Sequence, residues 1–179
     1  MHLTLERALF VVAPQDSGKS TVLRSMFLDR RLGMNGAPPS TAQYRNLAET
    51  YWLSNERRLY LRLTSPHEYG ESLDEFINKT RLKTGAGRWN FAGPLQPGAF
   101  KAMPDVVDTV QGFISALNPE RTRVAFLSPN RHGKTLAAYS PSRDLTDELL
   151  ELGNVEVVVL DGRRRGVNGL MLADFFDFT

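Results

Sequence analysis

The chain has 179 residues, 41% hydrophobic and 23% charged, which predicts one globular domain able to bury a core without covalent staples. The absence of cysteine excludes a disulfide framework, a thiol nucleophile and a Cys-ligated zinc or iron–sulfur site, and three histidines make a His-rich metal site a poor expectation. Charge is close to balance at +2, no apolar run is long enough to span a bilayer, and the first residues lack a signal-peptide pattern; the expectation is a cytoplasmic protein without a membrane partner.

Ala8-Leu9-Phe10-Val11-Val12 is a short unbroken apolar run ahead of Pro14, as in a strand buried on both faces. From Gly18 to Leu32 the period changes. Val22, Leu23, Met26 and Phe27 recur at helical spacing, and Arg30-Arg31 before Gly33 make a helix stop. After a loop to Ser40, a second helix is predicted over Thr41–Leu53, with Leu47, Ala48, Tyr51 and Trp52 on one side. Alternating Leu59, Leu61 and Leu63 predict a strand over Arg58–Thr64, and Glu71–Leu82 reads as an amphipathic helix. The glycine-rich segment Thr84–Phe100 reads as a long loop or a short edge strand, with Trp89 and Phe91 plugging the sheet edge or, as the alternative, covering a ligand. Asp105–Leu117 reads as a helix stopped by Asn118-Pro119, Arg123–Leu127 as a strand, Ser128–Ser142 as a loop, and Leu145–Leu152 as a helix stopped by Gly153. Val155–Leu160 reads as the clearest buried strand, while the apolar tail Val167–Thr179 leaves helix and strand open. Strands that alternate with helices predict the α/β class: a three-layer domain with a mostly parallel central sheet and helices on both faces.

The loop between the first strand and first helix reads Ala13-Pro14-Gln15-Asp16-Ser17-Gly18-Lys19-Ser20-Thr21. A helix N-terminus presents unpaired N–H groups and a positive dipole end, so it favours phosphate, and Gly18 lets the backbone curl around an anion. This stretch resembles the Walker A motif of the P-loop NTPase superfamily, with Ala13 where the usual pattern begins with Gly. The resemblance implies a P-loop NTPase-like domain that binds ATP, or another NTP, together with Mg²⁺. It implies that Ala13–Thr21 cradle the nucleotide, Lys19 reaches the β- and γ-phosphates, Ser20 ligates Mg²⁺ and Thr21 lies near the α-phosphate.

A nucleotide site of this kind also needs a carboxylate for the metal. Asp161, which ends Val155–Leu160, is the leading candidate; Glu68, beyond the strand Arg58–Thr64, is the alternative. Arg163, Arg164 and Arg165 follow Asp161 and are candidates to offset charge on a transferring phosphoryl group, or to bind an anionic substrate. Arg131 and Lys134 take the same sheet edge after Arg123–Leu127. Asn130-Arg131-His132-Gly133 shares only its Asn with the Asn-Lys-x-Asp element of guanine readers, so adenine is the default. Three classes of function follow. One is a Mg²⁺-dependent NTPase or small-molecule kinase-like phosphotransferase, with an acceptor or partner protein still to be identified. The second is a non-catalytic nucleotide-binding or regulatory module. The third is a nucleic-acid-associated ATPase subunit, for which the arginine cluster is the one supporting feature.

Overall fold

The computed structural model describes residues 3–39, 48–134 and 143–176. The apolar run expected over residues 8–12 extends backwards into a ten-residue strand, β1 (Leu3–Val12), followed by α1 (Lys19–Ser25) and a 3-10 turn at Met26–Leu28. Next come β2 (Ala48–Trp52), β3 (Arg57–Arg62), the single-turn α2 (Pro66–Tyr69), α3 (Leu73–Thr84) and β4 (Gly87–Leu95). The chain continues through α4 (Val106–Leu117), β5 (Arg121–Leu127), α5 (Arg143–Glu151), β6 (Val155–Leu160) and α6 (Arg165–Ala173), and closes on a 3-10 turn at Asp174–Phe176.

The six strands form one sheet in the order β2-β3-β4-β1-β5-β6. Five are parallel, and β2 runs antiparallel to β3 at one edge, so the sheet is mixed rather than wholly parallel. Side chains alternate across the pleat of β1 and divide the core in two. Phe10 and Val12 join Phe76 of α3, Phe113 of α4 and Leu149 of α5 on one face, whereas Leu9 and Val11 join Val22 and Leu23 of α1 and Leu172 of α6 on the other. The first face is aromatic: Phe10, Phe91 and Phe113 stack with ring centroids 5.0–5.5 Å apart.

Helix boundaries follow local chemistry. Ser72 and Glu75 form a reciprocal capping box at the start of α3. Asp105 caps α4 by accepting from the Asp108 N–H, and Asn118 closes it in the left-handed region.

Three expectations are corrected, and one left open is decided. Residues 48–52 are a strand, not the end of a helix over Thr41–Leu53; residues 41–47 lie outside the described residues. Tyr51 packs inward on Phe27 while Trp52 points to the other face, the period of two that a strand imposes. Residues 87–95 are a strand between β1 and β3, so Trp89 and Phe91 are buried in the middle of the sheet instead of plugging its edge. Conversely, Val155–Leu160 is the edge strand, with Val159 54% exposed. The tail is helical from Arg165, and residues 135–142 of the expected loop lie outside the described residues.

The connectivity positions a site. After β1 the chain turns onto the α1 face and moves towards β2 and β3, whereas the connections after β4 and β5 pass over the opposite face through α4 and α5. Loops at the carboxyl end of β1 therefore part from their neighbours in opposite directions. That divergence opens the crevice where open α/β sheets bind ligands.

Candidate functional site

Residues 13–18 lie in this crevice. The Ala13 N–H donates to the Leu95 carbonyl at 3.3 Å, which anchors the loop to the end of β4. Asp16 and Gly18 both adopt positive φ, 58° and 96°, and Gly18 forms the N-cap of α1. A Cβ at Gly18 would be strained by that backbone and would press on the Arg131 side chain at 3.2 Å. Gln15 and Asp16 form a tight turn, and among the described residues the N–H groups of Gln15, Asp16 and Gly18 meet no hydrogen-bond acceptor. A row of unpaired amides at a helix start is suited to an anion.

Lys19 is the chemically pointed member. Its ammonium is buried and donates to the carbonyls of Ala13 at 2.8 Å and Pro14 at 2.6 Å. An ammonium has three donors, so one remains for an incoming acceptor. Burial pulls the Lys19 pKa down to about 8, opposed by the carboxylates of Glu68 and Asp16. No carboxylate contacts Lys19 directly among the described residues, so its charge is incompletely compensated.

The Ser20 hydroxyl donates to the Leu63 carbonyl at 2.6 Å. That bond ties α1 to the end of β3 and leaves the oxygen lone pairs as the free face of the group, the face that ligates a cation. Glu68 is exposed on α2, near enough to Lys19 to raise its pKa. His67 holds α2 in place. Its Nδ1 accepts from the Gln96 N–H at 3.4 Å, which puts the proton on Nε2, and Nε2 donates to the Pro104 carbonyl at 3.0 Å. Burial keeps the imidazole pKa below the ordinary histidine value, and the Lys19 charge adds to that shift. Nothing in the spacing around His67 signals this role, because its partners come from residues 65, 96 and 104.

The remaining candidates sit further along the crevice. Arg131 touches the loop: its N–H donates to the Ser17 carbonyl at 3.3 Å, and its side chain covers Gly18. The Asn130 carboxamide oxygen accepts from the N–H groups of His132 and Lys134, so it shapes its own turn. Asp161 and Arg163–Arg165 follow the edge strand β6, which is separated from β1 by β5. The Asp161 carboxylate receives a two-pronged contact from Arg163, at 2.8 and 2.7 Å, and caps its own turn through the Arg163 N–H. The arginine hydrogen bonds hold its pKa at about 2. Arg164 is 4.0 Å from the same carboxylate, and Arg165 begins α6, where its carbonyl accepts from the Ser25 hydroxyl at 2.8 Å. Among the described residues they reach the loop through an intermediate layer: the Gly162 N–H donates to the Pro129 carbonyl, and Arg131, two residues on, rests on Ser17 and Gly18.

The structure thus brings Lys19, Ser20, Glu68 and Arg131 around one loop, and engages Asp161 and Arg163 with each other. Among the described residues, no helix is long and apolar enough to cross a membrane. No protein-family model, no curated protein and no solved structure matches this chain.

Proposed function

We propose that the loop Ala13–Thr21 binds the polyphosphate of a nucleoside triphosphate, ATP as the default, with Mg²⁺, and that the protein is a P-loop NTPase or kinase-like phosphotransferase. One observation carries this reading. A buried lysine at a helix start keeps one donor and an incompletely compensated charge beside unpaired amides. In isolation that arrangement is unfavourable, and a bound polyanion reverses the sign of the electrostatic contribution.

The residues present fit the nucleotide and its metal. Lys19 and the loop amides would hold the phosphates, and Ser20 would offer its lone pairs to Mg²⁺. Magnesium takes few protein oxygens and completes its shell with phosphates and water. Glu68, poised by His67, is the better second partner for the metal, since the Asp161 carboxylate is occupied by Arg163. When bound, Mg²⁺ would neutralise charge on the phosphate oxygens. Arg131, lying over Gly18, is better placed than Arg163–Arg165 to meet charge on the transferring group.

A second reading, a non-catalytic nucleotide-binding module, has its own support. The strands that flank β1 end in Leu95-Gln96 and Leu127-Ser128, with no carboxylate at either end. Mg²⁺-dependent release of phosphate or ADP, measured with and without added acceptors, separates the two. An NTPase or phosphotransferase turns over ATP, and Lys19→Ala abolishes turnover. Saturable binding without turnover selects the module, whereas turnover unchanged in Lys19→Ala contradicts both. A nucleic-acid-associated ATPase would instead be stimulated by DNA or RNA in a salt-sensitive way.

A further inference from the structure

Trp52, Arg58 and Trp89 stand in one register row across three adjacent strands, Trp52 opposite Arg58 on β3 and Arg58 opposite Trp89 on β4. Residues paired directly across neighbouring strands share a face of the sheet. The Arg58 guanidinium therefore lies between two indoles, 4.2 Å from the ring centroid of Trp52 and 5.3 Å from that of Trp89. Trp89 is buried and its indole N–H donates to the Ala86 carbonyl, whereas Trp52 is 54% exposed. Beside the row lies a cavity of about 400 Å³, whose walls add Asn55, Glu56 and Arg88. That volume is within the range of small-molecule sites.

The cations of this wall differ. Arg88 pairs with Glu6, as does the buried Arg57. The Arg58 guanidinium makes no hydrogen bond or ion pair among the described residues; what it touches is the two indole rings. With an indole on either side, the guanidinium keeps its rim of N–H donors as the reactive surface. Such a rim matches two coplanar oxygens of a carboxylate or phosphate.

We propose that this cavity is a second binding site, which takes a small organic oxyanion: a carboxylate or phosphate gripped by Arg58, carried on a flat apolar body that lies against Trp52. Asn55 and Glu56 offer partners for a hydroxyl or amino substituent on that body. The site is at the amino-terminal ends of β3 and β4, whereas the loop Ala13–Thr21 is at the opposite end of the sheet. Trp89 and Leu95 are six residues apart on one strand, or about 20 Å. The proposal is thus independent of the nucleotide reading.

The only two tryptophans of the chain are both in this row, so intrinsic tryptophan emission reports on this site alone. The experiment titrates the protein with phenyl phosphate and, separately, with benzoate. A saturable change in emission is expected, and the tighter of the two probes identifies the head group. Arg58→Gln should weaken binding about tenfold or more. Arg58→Lys, which keeps the charge but lacks the planar fork, should also weaken it, and covers the case in which Arg58→Gln folds poorly. Lys19→Ala should bind both probes as the wild type does. Emission that neither probe saturates, or equal affinity in a folded Arg58 variant, overturns the proposal.

Discussion

Lys19 carries a stability cost that its proposed role would explain. An unfolded lysine titrates near 10.5, whereas Lys19 in the fold titrates near 8. The unfolded chain therefore binds more protons between these values, and stability rises with pH across that window. Relative to Lys19→Met, which lacks the titration, wild-type protein should gain about 2 kcal/mol in denaturant melts between pH 8 and pH 10. A pH-independent difference would remove the buried-charge argument. Polyphosphate needs the ammonium, so its affinity should follow the opposite course and fall as pH rises through 8. The partner of the proposed Mg²⁺ is tested at the same scale. Glu68→Gln should reduce Mg²⁺-dependent nucleotide binding or turnover more than Asp161→Asn, measured as the shift in the Mg²⁺ midpoint; the reverse ranking would return the metal to the end of β6. Gly18, Lys19 and Ser20 are legible in the sequence because their geometry is local to one turn. The occupation of Asp161 by Arg163 is also local, two residues apart, and Asp-Gly-Arg can be read as a self-capped turn. Glu68 is legible only as an acid beyond a strand, since its approach to Lys19 depends on His67 and on residues almost forty positions away.

Between elements, α6 packs closely on α1. Gly169 meets the Ser25 carbonyl and hydroxyl so closely that a Cβ would fall inside contact distance of both. Ser25 answers by donating to the Arg165 carbonyl. Gly169→Ala should therefore lower stability by about 2 kcal/mol through overpacking, and should loosen the helix that carries Lys19 and Ser20. Differential scanning calorimetry of the variant reads the first effect; a neutral substitution would mean that the two helices can part without cost. The sequence shows α6 as an apolar tail without saying what it packs on. The strand β4 escapes recognition for a different reason. Gly93 and Pro94 are poor strand residues, yet the ladder with β3 ends at Ala92, so Pro94 is paired on the β1 side alone. Gly93 in turn gives room to the Phe91 ring, which would meet a Cβ there at 2.8 Å. The strand β2 is hidden because Leu47, Ala48, Tyr51 and Trp52 also fit a helical stripe; pairing with β3 decides between the two periods.

For the whole molecule, alternating strands and helices make the α/β class readable, but sheet order is a matter of long-range pairing. The apolarity of Val155–Leu160 suggests a central strand, and its place at the edge exposes Val159. Order matters to the proposed function because it puts the loop after β1 where neighbouring connections diverge, with the ends of β3, β4 and β5 around it. The same order keeps Asp161 one strand further away and sets the row Trp52–Arg58–Trp89 at the other end of the sheet. The central claim is that this crevice holds a polyphosphate through Lys19. Isothermal titration calorimetry with MgATP, repeated with MgGTP, tests it most directly. A saturable heat in wild type that disappears in folded Lys19→Ala is the predicted result; no heat with either nucleotide, or an undiminished heat in the variant, would contradict it.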